Sequence, residues 1–540
     1  VGIDVFARNI GKVIGEADEV RLQGLNISSP GSPPPVGTKL ILDFALPTHP
    51  FPSHISAYGE IVRVRRSSQS DARPYQVEVR FLALTESDGR RIESYLDQLE
   101  RRESDLVEKV DSDVHTLADF INLPDRDLFA KTRPFWGYIE NVKSKGYYIY
   151  RKFLLSPSNN RAIIFDEITG EKKEIIMMGN SNYLGLASHP KVVEAAKKAL
   201  EKYGTGPVGS PLHTGSYEVH RMLEEKLAGM KGCEDAMTFS SGYTANLGCI
   251  SALVRKGDCA IIDRLSHASI IDGCVLSGGK FRTFKHSDMD SLRRVMEDSR
   301  EKCDGILVVV DGVYSTDGDI APLPEIVEIA AEYDAKVMVD DAHATGVVGP
   351  MGKGTVSLFN LEGKVDIVMG TLSKALAGVG GFVASTKEVI NYLRHYARSA
   401  FFSASIPPSI AASVLAAIEI MESEPERHEN LHRNVDYMKR NLMDLGFNVI
   451  DTQSALISVI IGDDLLAKKM SKRIFEEGVY LSVFPYPAVP RGQERLRLSI
   501  MATHTREDLD TALEIFDKVG REFGIIGTGA EAATASSPAA

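Results

Sequence analysis

Lys336-Val337-Met338-Val339-Asp340-Asp341-Ala342-His343 is a short apolar run ending in acid and histidine. Asp366-Ile367-Val368-Met369-Gly370-Thr371-Leu372-Ser373-Lys374-Ala375 repeats the plan and ends in a lysine, 34 positions after Asp340. Lys336–Val339, Asp366–Met369 and the earlier Ile306–Val310 read as short buried strands, each followed by loop chemistry and then helix. The helical signal is explicit at Pro190–Tyr203, with Pro in the first turn, Gly204 at its end, and Val192, Val193, Ala196 and Leu200 on one face. This alternation predicts an α/β architecture: a mostly parallel sheet covered by helices on both faces, with ligands at the carboxyl ends of the strands.

An acid at a strand end is ordinarily a turn or cap residue, and a lone lysine there a solvated charge. Together they suit pyridoxal phosphate, which needs a carboxylate to keep its ring nitrogen protonated and a lysine amine for its aldehyde. Asp340 and Lys374 are the candidates. Ser240-Ser241-Gly242-Tyr243, after the strand Ala236–Phe239, opens a helix whose first N–H groups favour a phosphate. His267, after the strand Ala260–Ile262, is placed either to stack on a ring or to serve as a buried hydrogen-bonding residue.

Outward from this core, the first hundred residues change character. Thr38–Leu46, Ile55–Arg65 and Tyr75–Leu84 predict strands of a small antiparallel domain, separated by turns such as Ser29-Pro30-Gly31-Ser32-Pro33-Pro34-Pro35. Arg90–Arg102 predicts a closing helix, and Arg101-Arg102-Glu103-Ser104-Asp105 a linker. The tail after residue 527 is rich in Ala, Ser, Thr and Gly and reads as disordered. With 62 Lys and Arg against 74 Asp and Glu, the formal charge of −12 argues against nucleic acid as partner. Five cysteines without Cys-x-x-Cys spacing predict free thiols, no metal site and a cytoplasmic location. No apolar run approaches the roughly 20 residues of a transmembrane span, which leaves peripheral membrane contact open.

Residues from about 130 to 525 resemble the α-oxoamine synthases. The resemblance rests on an ordered series: Asn182-Tyr183-Leu184-Gly185-Leu186, Ser241-Gly242-Tyr243, His267-Ala268-Ser269, Asp311-Gly312-Val313-Tyr314-Ser315, Asp340-Asp341-Ala342-His343, Gly370-Thr371-Leu372-Ser373-Lys374, Phe402-Ser403-Ala404-Ser405, and Tyr486-Pro487-Ala488-Val489-Pro490 with Arg497 and His504. It implies fold type I of the pyridoxal-phosphate enzymes, with a PLP-binding large domain over 166–410, a smaller C-terminal α+β domain over 411–526, and a linker and N-terminal arm over 105–165. It also implies roles. Lys374 would hold the cofactor as a Schiff base, Asp340 would face its ring nitrogen, and His267 would stack on the ring. His343 and Ser315 would bind the phenolic oxygen. The Gly242 and Tyr243 backbone amides and the Thr371 hydroxyl would hold the phosphate, Ser241 and Ser373 would also bind the cofactor, and Ser403 would reach the phosphate of a neighbouring subunit in a homodimer. Asn182, His267 and Arg497 would meet the amino acid, Arg497 gripping its carboxylate. Two departures stand out: Asn180-Ser181-Asn182 replaces a usual Ser-Asn-Asp, and Ser210-Pro211 a usual Ser-Arg.

The implied reaction joins an amino acid to an acyl-CoA or acyl-carrier-protein thioester with loss of CO2. Phe284-Lys285-His286-Ser287-Asp288-Met289 and the lead Asp127–Tyr150 look like serine palmitoyltransferase, with serine and a long-chain acyl group; glycine acetyltransferase and aminooxononanoate synthase are the alternatives. An inactive regulatory subunit would lack the lysine or its aspartate, and both are present. Residues 1–104 resemble a PilZ domain, a small β-barrel that often binds cyclic di-GMP, through Asn26-x-Ser28-x-x-Gly31 and Val77-Glu78-Val79-Arg80-Phe81. Arg8-Asn9-Ile10-Gly11-Lys12 stands where binding members carry Arg-x-x-x-Arg, and lysine lacks the guanidinium fork.

Overall fold

The computed structural model describes residues 3–7, 12–21, 24–29, 33–46, 53–66, 75–85, 87–93, 110–121 and 127–527. Its centre is a seven-stranded sheet in the order Asp235–Phe239, Gly381–Ser385, Ile367–Thr371, Lys336–Asp340, Ile306–Asp311, Cys259–Asp263, Lys280–Phe284. All neighbours are parallel except Gly381–Ser385, which is antiparallel to both of its partners. The expected strands at 306 and 336 each run one residue further, into Asp311 and Asp340. The strand expected at Asp366 starts at Ile367 instead, because the Asp366 carboxylate accepts the Val337 N–H at 2.8 Å. Continuous burial of Val308, Val309 and Val310 is what a doubly covered parallel strand requires.

In the parallel register Asp311 lies opposite Asp340, and Asp340 opposite Met369. Register partners point to the same face, so two carboxylates come side by side. Successive side chains alternate, which turns Asp341 away from Asp340 toward a different set of partners. Asp341 accepts Lys231 Nζ at 2.9 Å and the Thr355 hydroxyl at 2.6 Å, while Lys231 also donates to the Lys353 carbonyl at 2.6 Å. Both charged side chains are sealed, at 1% and 0% exposure. This clamp anchors the loop that leaves the strand end.

A second layer comes from the C-terminal half. A three-stranded sheet, Leu456–Ile460, Arg495–Ser499 and Ser482–Phe484, is antiparallel throughout and carries Arg497 on its central strand. A further sheet pairs Val479-Tyr480 with Glu171–Met177, Arg161–Asp166 and Phe153-Leu154. The boundary expected at residue 166 therefore falls inside a hairpin that is tied to the C-terminal segment, a pairing across some three hundred residues. Patterns local to either strand do not encode such a partner.

The N-terminal residues form a closed antiparallel barrel of six strands: Ile3–Ala7, Lys12–Arg21, Gly24–Ser29, Lys39–Leu46, Ser53–Arg66 and Tyr75–Leu84, closed by Val5 opposite Phe44. Leu40, Leu42, Phe44 and Leu46 alternate inward onto Ile27, Ile55, Ile61 and Val79. Three of these strands were expected; the first three mix polar and apolar residues without sustained alternation, so period-two reading passes over them. Residues 87–93 are helical and seat Ile92 in the barrel core. The rest of the expected closing helix to Arg102, the linker Arg101–Asp105, Arg8–Gly11 and the tail from 528 lie outside the described residues. The helix docks on segment 110–121 through Arg91, whose Nε donates to the Val114 carbonyl, and through Arg90 and Asp113 at 3.7 Å. Phe120 in turn packs against Tyr138, ring centroids 5.0 Å apart.

Removing one partner of a sealed ion pair strands the other charge. Lys231→Ala should therefore lower the unfolding free energy by about 3–5 kcal/mol in chemical denaturation. A change below about 1 kcal/mol, the range of an exposed pair, would reject the clamp.

Candidate active site

The strand ends enclose a cavity of about 200 Å³ lined by Gly242, His267, Asp311, Asp340, His343 and Lys374, among others. It sits at the carboxyl edge of the parallel sheet, as open α/β folds dictate. Other clefts among the described residues are larger, including one of about 850 Å³ at the opposite end of the strands, but the convergence of titratable groups is here.

Asp340 is 4% exposed. It accepts Asn246 Nδ2 at 2.6 Å and its own turn's Ala342 N–H at 2.9 Å, and Asn246 is braced by Ser269 Oγ at 2.9 Å. Asp311 accepts the His267 backbone N–H at 3.1 Å. Burial and the neighbouring Asp340 charge push the Asp311 carboxyl well above the usual carboxylate range. Two like charges in adjacent register do not both ionise in a dry site.

Lys374 follows the strand Ile367–Thr371 and is part-buried. Burial lowers its amine to about 8, helped by the Arg497 charge and opposed by Asp340. An amine that sheds its proton this close to neutrality can add to a carbonyl and can carry protons. His343 is driven well below its ordinary value by burial, with Lys374 and Arg497 adding to it. Its Nδ1 stands 2.7 Å from the Tyr183 hydroxyl. His267 is lowered chiefly by burial; its Nδ1 is 2.8 Å from Ser269 Oγ, and its ring meets Tyr243 edge-on, centroids 6.2 Å apart.

Ser241 caps the helix Gly242–Leu253 and accepts the Thr244 N–H at 3.1 Å. The first-turn N–H groups of such a helix have no partner within it and face the cavity. A Cβ on Gly242 would come within 3.1 Å of Thr371 Oγ1, so the residue type keeps this cradle open. The Thr371 hydroxyl donates to the Gly380 carbonyl at 3.0 Å and lies 2.8 Å from Ser373 Oγ. Ser315 also lines the cavity, and its carbonyl accepts Arg497 Nη1 at 2.7 Å. The Arg497 guanidinium lies over the Phe484 ring at 4.7 Å, and its Nε has no partner among the described residues.

The structure thus gathers Ser241, Gly242, Tyr243, His267, Ser315, Asp340, His343, Thr371, Ser373 and Lys374 around one cavity, with Arg497 one carbonyl away. Asn182 is not in the lining: its amide donates to the Ser158 carbonyl at 3.1 Å and accepts the Ala187 N–H at 3.2 Å. Its neighbour Tyr183 makes that motif's contact, through His343. Ser403 follows the short helix Arg398–Phe401 outside the lining. Ser269 and Asp311, quoted above only within motifs, and Asn246 are site residues to which sequence reading gave no role. The spacing of Asn246 from Gly242, one helical turn, was the available signal.

Residues 173–516 match the aminotransferase class I and II family. An 8-amino-7-oxononanoate synthase of Symbiobacterium thermophilum is 45% identical over 388 residues, 72% of this chain and 97% of that protein. The 4-hydroxy-2,2'-bipyrrole-5-methanol synthase PigH of a Serratia species is 41% identical over 413 residues, 76% of this chain; the chain spans only 63% of that protein. Among solved structures, a serine palmitoyltransferase from S. paucimobilis with a bound PLP–myriocin aldimine is 36% identical with a TM-score of 0.71, covering 74% of this chain and all of the other. The order of catalytic-type residues along the strand ends and these likenesses lead to one conclusion: the chain belongs to the aminotransferase class I and II family, among the fold-type I pyridoxal-phosphate enzymes of the α-oxoamine synthase group.

Proposed function

We propose that the chain binds pyridoxal phosphate in this cavity and condenses an amino acid, serine foremost, with a long-chain acyl thioester. The products would be CO2, a free thiol carrier and an α-amino ketone of the 3-ketosphinganine type. The observation that carries the reading is the buried Lys374 amine, lowered to about 8, sharing one cavity with Asp340 and the open helix start at Gly242. The residues fit the cofactor. Asn246 fixes the Asp340 carboxylate for a pyridinium N–H, the Gly242 cradle suits a phosphate, and Arg497 Nε is a buried donor awaiting an acceptor.

When bound, pyridoxal phosphate supplies an aldehyde for an amine and a protonated ring that takes up the electron pair left at Cα. The protein's groups supply the rest. Lys374, neutral near pH 8, takes the proton from Cα and later returns one there. Asp340, held by Asn246, would face the ring nitrogen, and the Asp311 carboxyl beside it is raised by burial. Neutral His343, oriented by Tyr183, gives a hydrogen-bonding ring nitrogen rather than a second cation. Arg497 would hold the amino acid's carboxylate and so orient the bond that is broken, the kind of positioning worth several kcal/mol.

The serine and long-chain choice is supported by the likeness to serine palmitoyltransferase structures and by the Phe284–Met289 stretch. An oxononanoate- or acetyl-type acyl group is the second reading, favoured by the 45% identity to an oxononanoate synthase. Ser403, outside its own chain's cavity beside the exposed Phe402, suits a homodimer in which it reaches the neighbour's phosphate. The intact Lys374 and Asp340 argue against an inactive scaffold. No described helix is long and apolar enough to cross a membrane, and the free cysteines suit a reducing cytoplasm. The six-stranded barrel with Asn26 and Ser28 on one strand supports a PilZ-like reading of the N-terminal domain.

Three outcomes are expected. The purified protein is yellow and Lys374→Ala is not, with turnover down at least about 10³-fold; in wild type, cofactor capture quickens as pH rises through about 8, because the neutral amine is the reactive form. Thiol release in a grid of amino acids against acyl-CoA lengths peaks at serine with a long chain; activity confined to glycine and acetyl-CoA would reject that choice. Calorimetry of the full chain with cyclic di-GMP decides the barrel's ligand: absence of heat at high concentration leaves it a protein-contact domain.

A further inference from the structure

The N-terminal barrel touches the amino-acid side of the active site through charge. Asp88, in the helical stretch 87–93, lies 3.1 Å from Arg491 Nη1, and the side chains are 0% and 7% exposed. The same carboxylate oxygen takes Arg91 Nη1 at 3.0 Å. Thr85 donates its hydroxyl to the other oxygen and accepts the Asp88 N–H, both at 3.0 Å. A carboxylate so fixed is a rigid post, and charged side chains are seldom sealed unless they are paired in this way.

Arg491 sits on the loop 485–494, which joins two antiparallel strands. Across that hairpin Phe484 pairs with Arg495 and Ser482 with Arg497. Arg491 lies 4.2 Å over the Tyr486 ring, and the loop closes on itself through Ala488 N–H to the Pro485 carbonyl at 2.9 Å. At its far end the hairpin presents Arg497 over Phe484, bonded to the Ser315 carbonyl at the cavity wall. Arg495, one alternation earlier, is paired with Asp317. The loop runs directly into the strand Arg495–Ser499, whose third residue is Arg497. The match to the aminotransferase family begins at residue 173, well after Asp88.

We infer that Asp88 is a positioning residue for amino-acid binding: its ion pair with Arg491 fixes loop 485–494 and, through the hairpin, the Arg497 guanidinium. This rests on the reading of Arg497 as the carboxylate-binding group. It makes the barrel part of the substrate-binding apparatus, so anything that shifts the barrel shifts amino-acid affinity.

The test uses the full-length, cofactor-loaded enzyme. Asp88→Asn and Arg491→Gln should each raise the amino-acid KM about tenfold, and raise the Kd read from the amino-acid-induced absorbance change, with kcat and the acyl-thioester KM within about twofold. The double variant should be no worse than either single, as for groups acting through one contact. Arg491→Lys, which keeps the charge, should recover most of the affinity. A lowered melting temperature with unchanged amino-acid KM, or a double variant showing the product of the single effects, overturns the inference. Arg497→Ala separates the two readings. If it leaves the amino-acid KM unchanged, the carboxylate assignment fails and takes the inference with it; if it raises KM while Asp88→Asn does not, the inference alone fails.

Discussion

Charge taken out of water must be answered by charge or by a proton, and the whole site follows from that constraint. Parallel register sets Asp311 beside Asp340 at the sheet's carboxyl edge, where two carboxylates together would cost several kcal/mol each to desolvate. The structure resolves this by raising Asp311 and by giving Asp340 an amide partner in Asn246. Lys374 enters the same dry space and surrenders affinity for its proton. His343, already losing its charge to burial, loses it further to Lys374 and Arg497. One cavity thus holds a braced carboxylate, a poised amine and imidazoles that burial holds below their ordinary range, without any group being chosen separately.

Strand alternation extends the same logic behind the sheet. Asp340 and Asp341 are neighbours in sequence with opposite tasks, because consecutive side chains face opposite ways. Asp340 serves the cavity, and Asp341 locks Lys231 and Thr355 into the wall that carries the Ala342–Thr345 turn. Reactive positions remain precise because the residues beneath them are spent on structure. Asn182 belongs to this supporting set: its amide braces a loop, and Tyr183 beside it sets the His343 ring.

The parallel sheet and the placement of Lys374 and Asp340 at its strand ends were legible because each depends on a local pattern: a buried run, a turn, then a polar residue that does not suit a simple cap. The helix start at Ser241 was legible for the same reason, since capping is local. The strands at Ile3–Ala7, Lys12–Arg21 and Gly24–Ser29 were not, because a barrel strand made of mixed residues is stabilised by the ladder it joins and not by its own alternation. Asp311 was quoted as part of a motif, yet its role depends on which strand pairs beside it.

By itself the sequence determined the element types, the order in which chemistry-bearing residues leave the strands, and the family those residues mark. Propensity, capping and hydrophobic period act over a few residues, and they are written along the chain. The tertiary structure alone decided which strands became neighbours, that Gly381–Ser385 runs against the others, that residues near 171 pair with residues near 479, and that Asp88 meets Arg491. These are encounters between distant segments, chosen by the total burial and charge balance of the folded molecule, and no local stretch carries them.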